Sequence, residues 1–192
     1  PDAVHVHGFL NLEGAKISKS LGNVIRPKDL VDEYGVDPIR YFLLKHGPIN
    51  EDSDLSIAHL REVYNGELAN GLGNTVARIA KLAEKSGAEF PPEEPKEIFD
   101  PKIFEHMEDF RPDKVLHRIW RVLADLDKHI NENEPWTIKD ASKLEKVLGE
   151  EIAVIRKAAK YIEPFMPATA QKIQEQFETP NIKADKPLFP RI

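Results

Sequence analysis

No cysteine occurs in the 192-residue chain, which excludes a disulfide frame and a thiolate metal site. No run of about 18 apolar residues is present, so no membrane-spanning helix is expected. The opening "PDAVHVHGFL" carries no basic stretch ahead of its apolar residues, and no secretory leader is expected from it. An excess of positive charge is missing too, with 27 Lys and Arg against 33 Asp and Glu, a net charge of −6. Proteins that hold nucleic acid without regard to sequence are usually basic, so any polyanion site must rest on particular residues. These absences point to a soluble cytoplasmic chain with no membrane partner. Pro1 in place of an initiator Met reads as a processed or excised chain. At 41% hydrophobic, the length suffices for one sizeable core or for a small module joined to a larger one.

What is present reads mainly as helix. Residues 4–10 alternate valine and histidine and resemble a short strand leading into a glycine-bounded loop. His5 and His7 share one face of that strand, as a metal pair does, but no third ligand is near and no metal is expected in this chain. Pro27 and Gly35 frame one short helix, and Asp37 as N-cap, Pro38 in the first turn and Gly47 as terminator frame the next. Up to that point the chain looks like the tail of an α/β domain.

Residues 57–85 turn helical, with Leu60, Leu68, Leu72, Val76, Ile79 and Ala83 on one side. "PPEEPKE" at 91–97 is an acidic, proline-rich break. Val115, Ile119, Val122, Leu126 and Ile130, spaced 4, 3, 4 and 4, form one apolar stripe. Further helices are expected over 140–161 and 168–177, separated by "EPFMP", and the tail "KPLFPRI" is expected to pack back on them. The fold class is therefore mainly α: a bundle of four or five helices preceded by a short β/loop/helix remnant.

The loop at 14–23, "GAKISKSLGN", offers two ammonium groups, Lys16 and Lys19, and two hydroxyls, Ser18 and Ser20, between Gly14 and Gly22. Such a loop can clamp polyphosphate oxygens and stabilise charge that develops on a leaving pyrophosphate. Lysine, serine and glycine are also what a solvated turn uses. The string itself goes further. "KISKS" resembles the KMSKS signature of class I aminoacyl-tRNA synthetases with Ile17 in the methionine place, and "SLGNVIRPKDLVDEYGVDPIRYFLL" continues that resemblance. It implies a loop that closes over ATP with Mg2+, using Lys16, Ile17, Ser18, Lys19 and Ser20. Lys19, assisted by Lys16, would stabilise the transition state of amino-acid activation.

Downstream, Asn70, Asn74 and Arg78 recur at four-residue intervals on one helix flank, where two amides and a guanidinium can read the edges of unstacked bases. A plain polar flank fits the same spacing. Gly66, Gly71 and Gly73 in that helix should each cost about 1 kcal/mol, which close packing or a closely approaching ligand must offset. Trp136 after Pro135 is either a half-buried staple or a stacking platform for an extruded base. Trp120 lies beside the apolar stripe and reads as core. Basic residues recur at Arg111, Lys114, Arg118, Arg121 and Lys128, and again at Arg156, Lys157 and Lys160, as solvated faces or as phosphate contacts.

"VHGFLNLEGAKISKS", "DSDLSIAHLREVYNGELANGLGNTVAR", "NENEPWTIKD" and "PLFPRI" together resemble the methionyl-tRNA synthetase family over essentially the whole chain. The resemblance implies that residues 1–56 end a catalytic domain and that 57–192 form a helical anticodon-binding domain. Asn74, Arg78 and Trp136, with Asn70 beside them, would bind the CAU anticodon of tRNA(Met). The whole enzyme would join methionine to tRNA using ATP. This stretch has no HIGH-like motif, no recognisable methionine pocket and no zinc-binding cysteines, so the zinc of some family members would lie elsewhere and the stretch alone should be inactive. A leucyl, isoleucyl or valyl enzyme and a stand-alone tRNA-binding module are the alternatives. Oligomeric state is not legible.

Overall fold

A computed structural model describes residues 1, 4–18, 20, 22–92 and 100–192. Its N-terminal part is organised by a tight hairpin. Strands β1 (Leu10–Leu12) and β2 (Ala15–Lys16) pair antiparallel, with Asn11 opposite Lys16 and Leu12 opposite Ala15. The turn residues Glu13 and Gly14 both have positive φ, 49° and 76°. That is the type I′ geometry that matches the right-handed twist of two paired strands. β3 (Ser53–Leu55) then lies parallel to β1 on its other side, giving the order β2-β1-β3. A parallel neighbour needs a crossover, and helices α1 (Pro27–Tyr34) and α2 (Val36–His46) supply it.

Two expectations for this part need correction. Residues 4–9 are not a strand; pairing starts at Leu10, and Val4 and Val6 are 77% and 78% exposed, so their alternation meets neither a partner strand nor a core. Asp37 is not an N-cap either. Gly35, at φ 87°, both closes α1 and opens α2, and Asp37 falls inside the first turn. There its buried carboxylate accepts the backbone N–H of Thr169 at 2.6 Å, tying α2 to the far end of the chain.

The bundle begins as one long helical run in three parts: α3 (Ile57–Val63), a ten-residue π-helical segment (Tyr64–Gly73) and α4 (Asn74–Ser86), closed by left-handed Gly87. Then come α5 (Pro101–Glu108), α6 (Pro112–Asn133), a 3-10 turn at Pro135–Thr137, α7 (Ala141–Ile162) and α8 (Pro167–Phe177). Asp100 and Asp140 cap α5 and α7 by accepting the N–H groups of Lys102 and Lys143. α7 packs against α4, α6 and α8, while α2 packs on α6. One apolar core therefore runs from Leu12 through Tyr41, Phe42 and Leu72 to Phe189. Each large side chain fully buried there is worth about 1.5–3 kcal/mol.

In α6 the buried stripe is Val115, Leu116, Ile119, Leu123, Leu126 and Ile130; Val122, expected in it, is 41% exposed. A 3.6-residue period over 16 residues admits either neighbour, and packing selects Leu123. Part of the "PPEEPKE" break, residues 93–97, lies outside the described residues. The tail does fold back: Phe189 is buried, Tyr64 Oη donates to the Pro190 carbonyl at 2.8 Å, and Asn65 Nδ2 donates to that of Ile192 at 3.0 Å.

Candidate functional site

The glycine-bounded loop leaves β2 with its polar groups turned outward. Lys16 is exposed, its ammonium 5.8 Å from the centre of the Phe9 ring, and among the described residues it makes no ion pair. Ile17 packs against the core and anchors the loop. Asn23 braces it from the far side, accepting the Ser18 N–H at 2.9 Å and donating to the Lys16 carbonyl at 3.0 Å. Ser18 and Ser20 share a hydrogen bond of 2.7 Å between hydroxyls. Lys19 lies outside the described residues. Gly14 and Gly22 both adopt left-handed φ, so the turn geometry itself requires them. The described groups thus offer one ammonium and two hydroxyls to an anion, while the Asp54 carboxylate accepts the Gly14 N–H at 2.6 Å where the loop begins.

A second constellation forms at the other end of the bundle. Arg78, on α4, lays its guanidinium over the ring of Trp136, 4.6 Å from its centre. Both Nη atoms of Arg78 donate to Asn131 Oδ1 at 3.0 Å, and Asp127 Oδ1 stands 3.6 Å from Nη1. Asn131 in turn donates to Asp127 at 3.1 Å, one helical turn earlier on α6. Trp136 is 48% exposed, because the left-handed residue Glu134 and the Pro135–Thr137 turn swing it off the end of α6. Asn74 is exposed one turn before Arg78. Asn70 is exposed in the π segment, where its Oδ1 accepts from Arg191 at 2.7 Å. The structure therefore brings together Arg78 and Trp136, keeps Asn74 on the same helix, and ties Asn70 to the tail. Asn131 and Asp127 were missed in the sequence, although their four-residue spacing one turn ahead of "PW" carried a signal.

Between these two places lies a polar junction. Glu67, in the π segment, accepts from Tyr41 Oη, from Lys45 Nζ at 2.7 Å and from His46 Nε2 at 3.4 Å. Burial raises its pKa, but the hydrogen bonds from His46, Lys45 and Tyr41 outweigh that and hold it at about 2. Trp120 closes the junction from α6: its ring lies 4.3 Å from that of Tyr41, and its Nε1 donates to the Glu67 carbonyl at 3.4 Å. A different carboxylate, Glu151 of α7, is fully buried, with one oxygen 3.4 Å from His129 Nδ1 and the other without a partner. Burial pushes its pKa up against the pull of His129.

Of the glycines in the long helical run, Gly73 is a packing residue; a Cβ there would meet Phe189 at 3.3 Å and the Leu68 carbonyl oxygen at 3.0 Å. Gly66 faces open space. Several basic residues are structural. Arg118 is paired with Asp100, Arg111 with Asp113, and Arg156 ties the end of α8 to residues 90 and 91 through three carbonyls.

Comparison with known proteins gives the class first. Residues 1–80 match the family described as tRNA synthetases class I (M). Methionine–tRNA ligases of Caldanaerobacter subterraneus and Thermotoga maritima are 37% and 32% identical over 100% and 90% of the chain, which covers 35% and 30% of them. The structure of Mycobacterium tuberculosis methionyl-tRNA synthetase in complex with methionyl-adenylate aligns with a TM-score of 0.81 at 27% identity, over 96% of this chain and 43% of that one. The chain belongs to the methionyl-tRNA synthetase family. It spans about a third of the length of the relatives it matches. The names of these relatives specify methionine, not leucine, isoleucine or valine, and are those of enzymes rather than of a stand-alone binding module.

Proposed function

We propose that the whole protein activates methionine with ATP and transfers it to tRNA(Met) in the cytoplasm. In this reading, residues 1–56 complete the catalytic domain and residues 57–192 read the CAU anticodon. The observation that carries it is the Arg78–Trp136 pair. An exposed indole backed by a guanidinium at 4.6 Å offers a stacking face and hydrogen-bond donors to the same base. Asn74, one turn away, adds an amide with both donor and acceptor.

The chemistry divides between the ends. When the methionine carboxylate attacks the α-phosphate of ATP, charge grows on the departing pyrophosphate; Lys16 and Lys19 would meet it, with Ser18 and Ser20 as donors. Loop residues 14–23 contain no carboxylate, and Glu13 Oε1 already accepts the Ile57 N–H at 3.2 Å. Mg2+ would therefore ride on the nucleotide's phosphates rather than on this loop. A zinc ion does not fit here, since the chain has no cysteine and no three His, Asp or Glu converge among the described residues. No helix among the described residues is long and apolar enough to cross a membrane.

The test is binding of tRNA transcripts that differ only in the anticodon, together with methionine-dependent ATP–pyrophosphate exchange by the full-length protein. Tight binding of the CAU transcript alone is the expected result. Equal binding of all anticodons would overturn the reading.

A further inference from the structure

A second polar site lies away from both ends. α2, α5, α6 and α7 enclose an open cleft of about 900 Å³. Cations dominate its walls, although the chain as a whole carries a net charge of −6. Two of the cations are already neutralised, Lys45 by Glu67 and Arg118 by Asp100. Of the carboxylates lining the cleft, Asp113 is likewise neutralised by Arg111. Among the described residues, that leaves Lys114, Arg121 and Lys157, all exposed, against Asp125. His106 and His117 add imidazole donors at the rim. Apolar wall residues Ile103, Val122 and Val154 keep the local dielectric low, which concentrates the positive potential in the cleft.

We propose that this cleft seats the sugar–phosphate backbone of a nucleic acid, with Lys114, Arg121 and Lys157 as its phosphate contacts. The proposal rests on the reading of the chain as a tRNA binder. Three cations spread over α6 and α7 suit a run of phosphates better than one compact anion. Base stacking is not part of it: the aromatic ring lining the cleft besides the imidazoles, Tyr161, is buried and lies 5.7 Å below the Lys157 ammonium. Contacts of this kind contribute affinity and register but no sequence choice. Arg121 precedes Asn131 by ten residues, about 15 Å along α6, so one RNA can reach both the cleft and the Arg78–Trp136 end.

The test uses the full-length protein with Lys114, Arg121 and Lys157 all changed to Ser, and a CAU tRNA transcript titrated over a salt series. The expected result is about tenfold weaker binding at low salt and a log K against log salt slope flatter by about 2, the same for anticodon-changed transcripts. The charge-keeping variant Lys114→Arg, Arg121→Lys, Lys157→Arg should restore the slope. An unchanged slope in the Ser variant overturns the proposal; if its melting temperature also falls, the cleft holds another part of the protein instead. Arg78→Ala separates the two readings. Lost anticodon discrimination in Arg78→Ala with an unchanged slope in the Ser variant defeats the cleft alone. A flattened slope without any discrimination in the wild type defeats the anticodon reading alone.

Discussion

Lys16 and Arg78 are both cations set beside an aromatic ring, but the fold treats them differently. Lys16 is exposed over Phe9 with no acid engaging it among the described residues, and its loop is held through backbone groups and Asn23. Arg78 is held at both Nη atoms by Asn131, with Asp127 close by to balance its charge. Under the proposed function, the difference suits the ligand each would meet. A polyphosphate brings its own strong charge, and an acid beside the lysine would have to be displaced first. A base edge is neutral, and an unbalanced guanidinium would bind any phosphate that came near. Fixing and partly neutralising it favours geometry over charge.

The comparison can be broken in four places. The largest effect is expected from Lys19→Ala in the full-length protein: adenylate formation slowed by about 10²-fold, by analogy with removing one oxyanion donor, with tRNA affinity nearly unchanged. Pyrophosphate exchange and filter binding measure the two. Equal damage to both would erase the division between the ends.

Next comes Glu67→Gln, which cuts the junction joining them. Glu67 has a pKa of about 2 in the fold against 4.5 in the unfolded chain, so its contribution is present above about pH 4.5 and lost as pH falls towards 2. Denaturant melts should show a loss on the order of 2–3 kcal/mol at pH 7 that shrinks by pH 3. Glu151 has the opposite sign: its raised pKa makes it a burden at neutral pH that protonation relieves.

Trp136→Ala should weaken tRNA charging by about 1–3 kcal/mol, the worth of one stacked base, and leave adenylate formation alone. The smallest effect belongs to Asn131→Ala, about 1 kcal/mol in tRNA binding, as Arg78 loses its anchor but keeps Asp127. If Asn131→Ala matched Arg78→Ala in size, the guanidinium would act through its tether and not through its charge.

Much of this was legible in the residues because local rules governed it. Pro27 and Gly35 bound α1, Asp140 caps α7, and the apolar spacing of α6 located its buried face to within one residue. What escaped was decided by distant partners. β3 is three polar-leaning residues that become a strand only because β1 lies alongside. Asp37 followed every rule for an N-cap, yet it bonds Thr169, 132 residues on. α5 is eight residues whose Asp-Pro start is a short signal beside the acidic break. At the site, the types and spacing of Asn74, Arg78 and Trp136 leave a plain polar flank and a staple open, and only the family resemblance singles them out for base recognition; the clamp on Arg78 from α6 needs the tertiary fold to appear. The apolar spacing of the π-helical stretch is that of a plain helix, and its three glycines are the feature that sets it apart in the sequence.

The way the last residues return has a consequence for anything joined behind them. Asn65 grips Ile192 at both its amide and its carbonyl, and Arg191 reaches Asn70 one to two turns further on. A peptide added after Ile192 would set out alongside the helix that next presents Asn74 and Arg78. A tag or a fused module at that point starts as a close neighbour of the ridge that carries Asn74 and Arg78 and inherits a high local concentration there, whatever its own affinity.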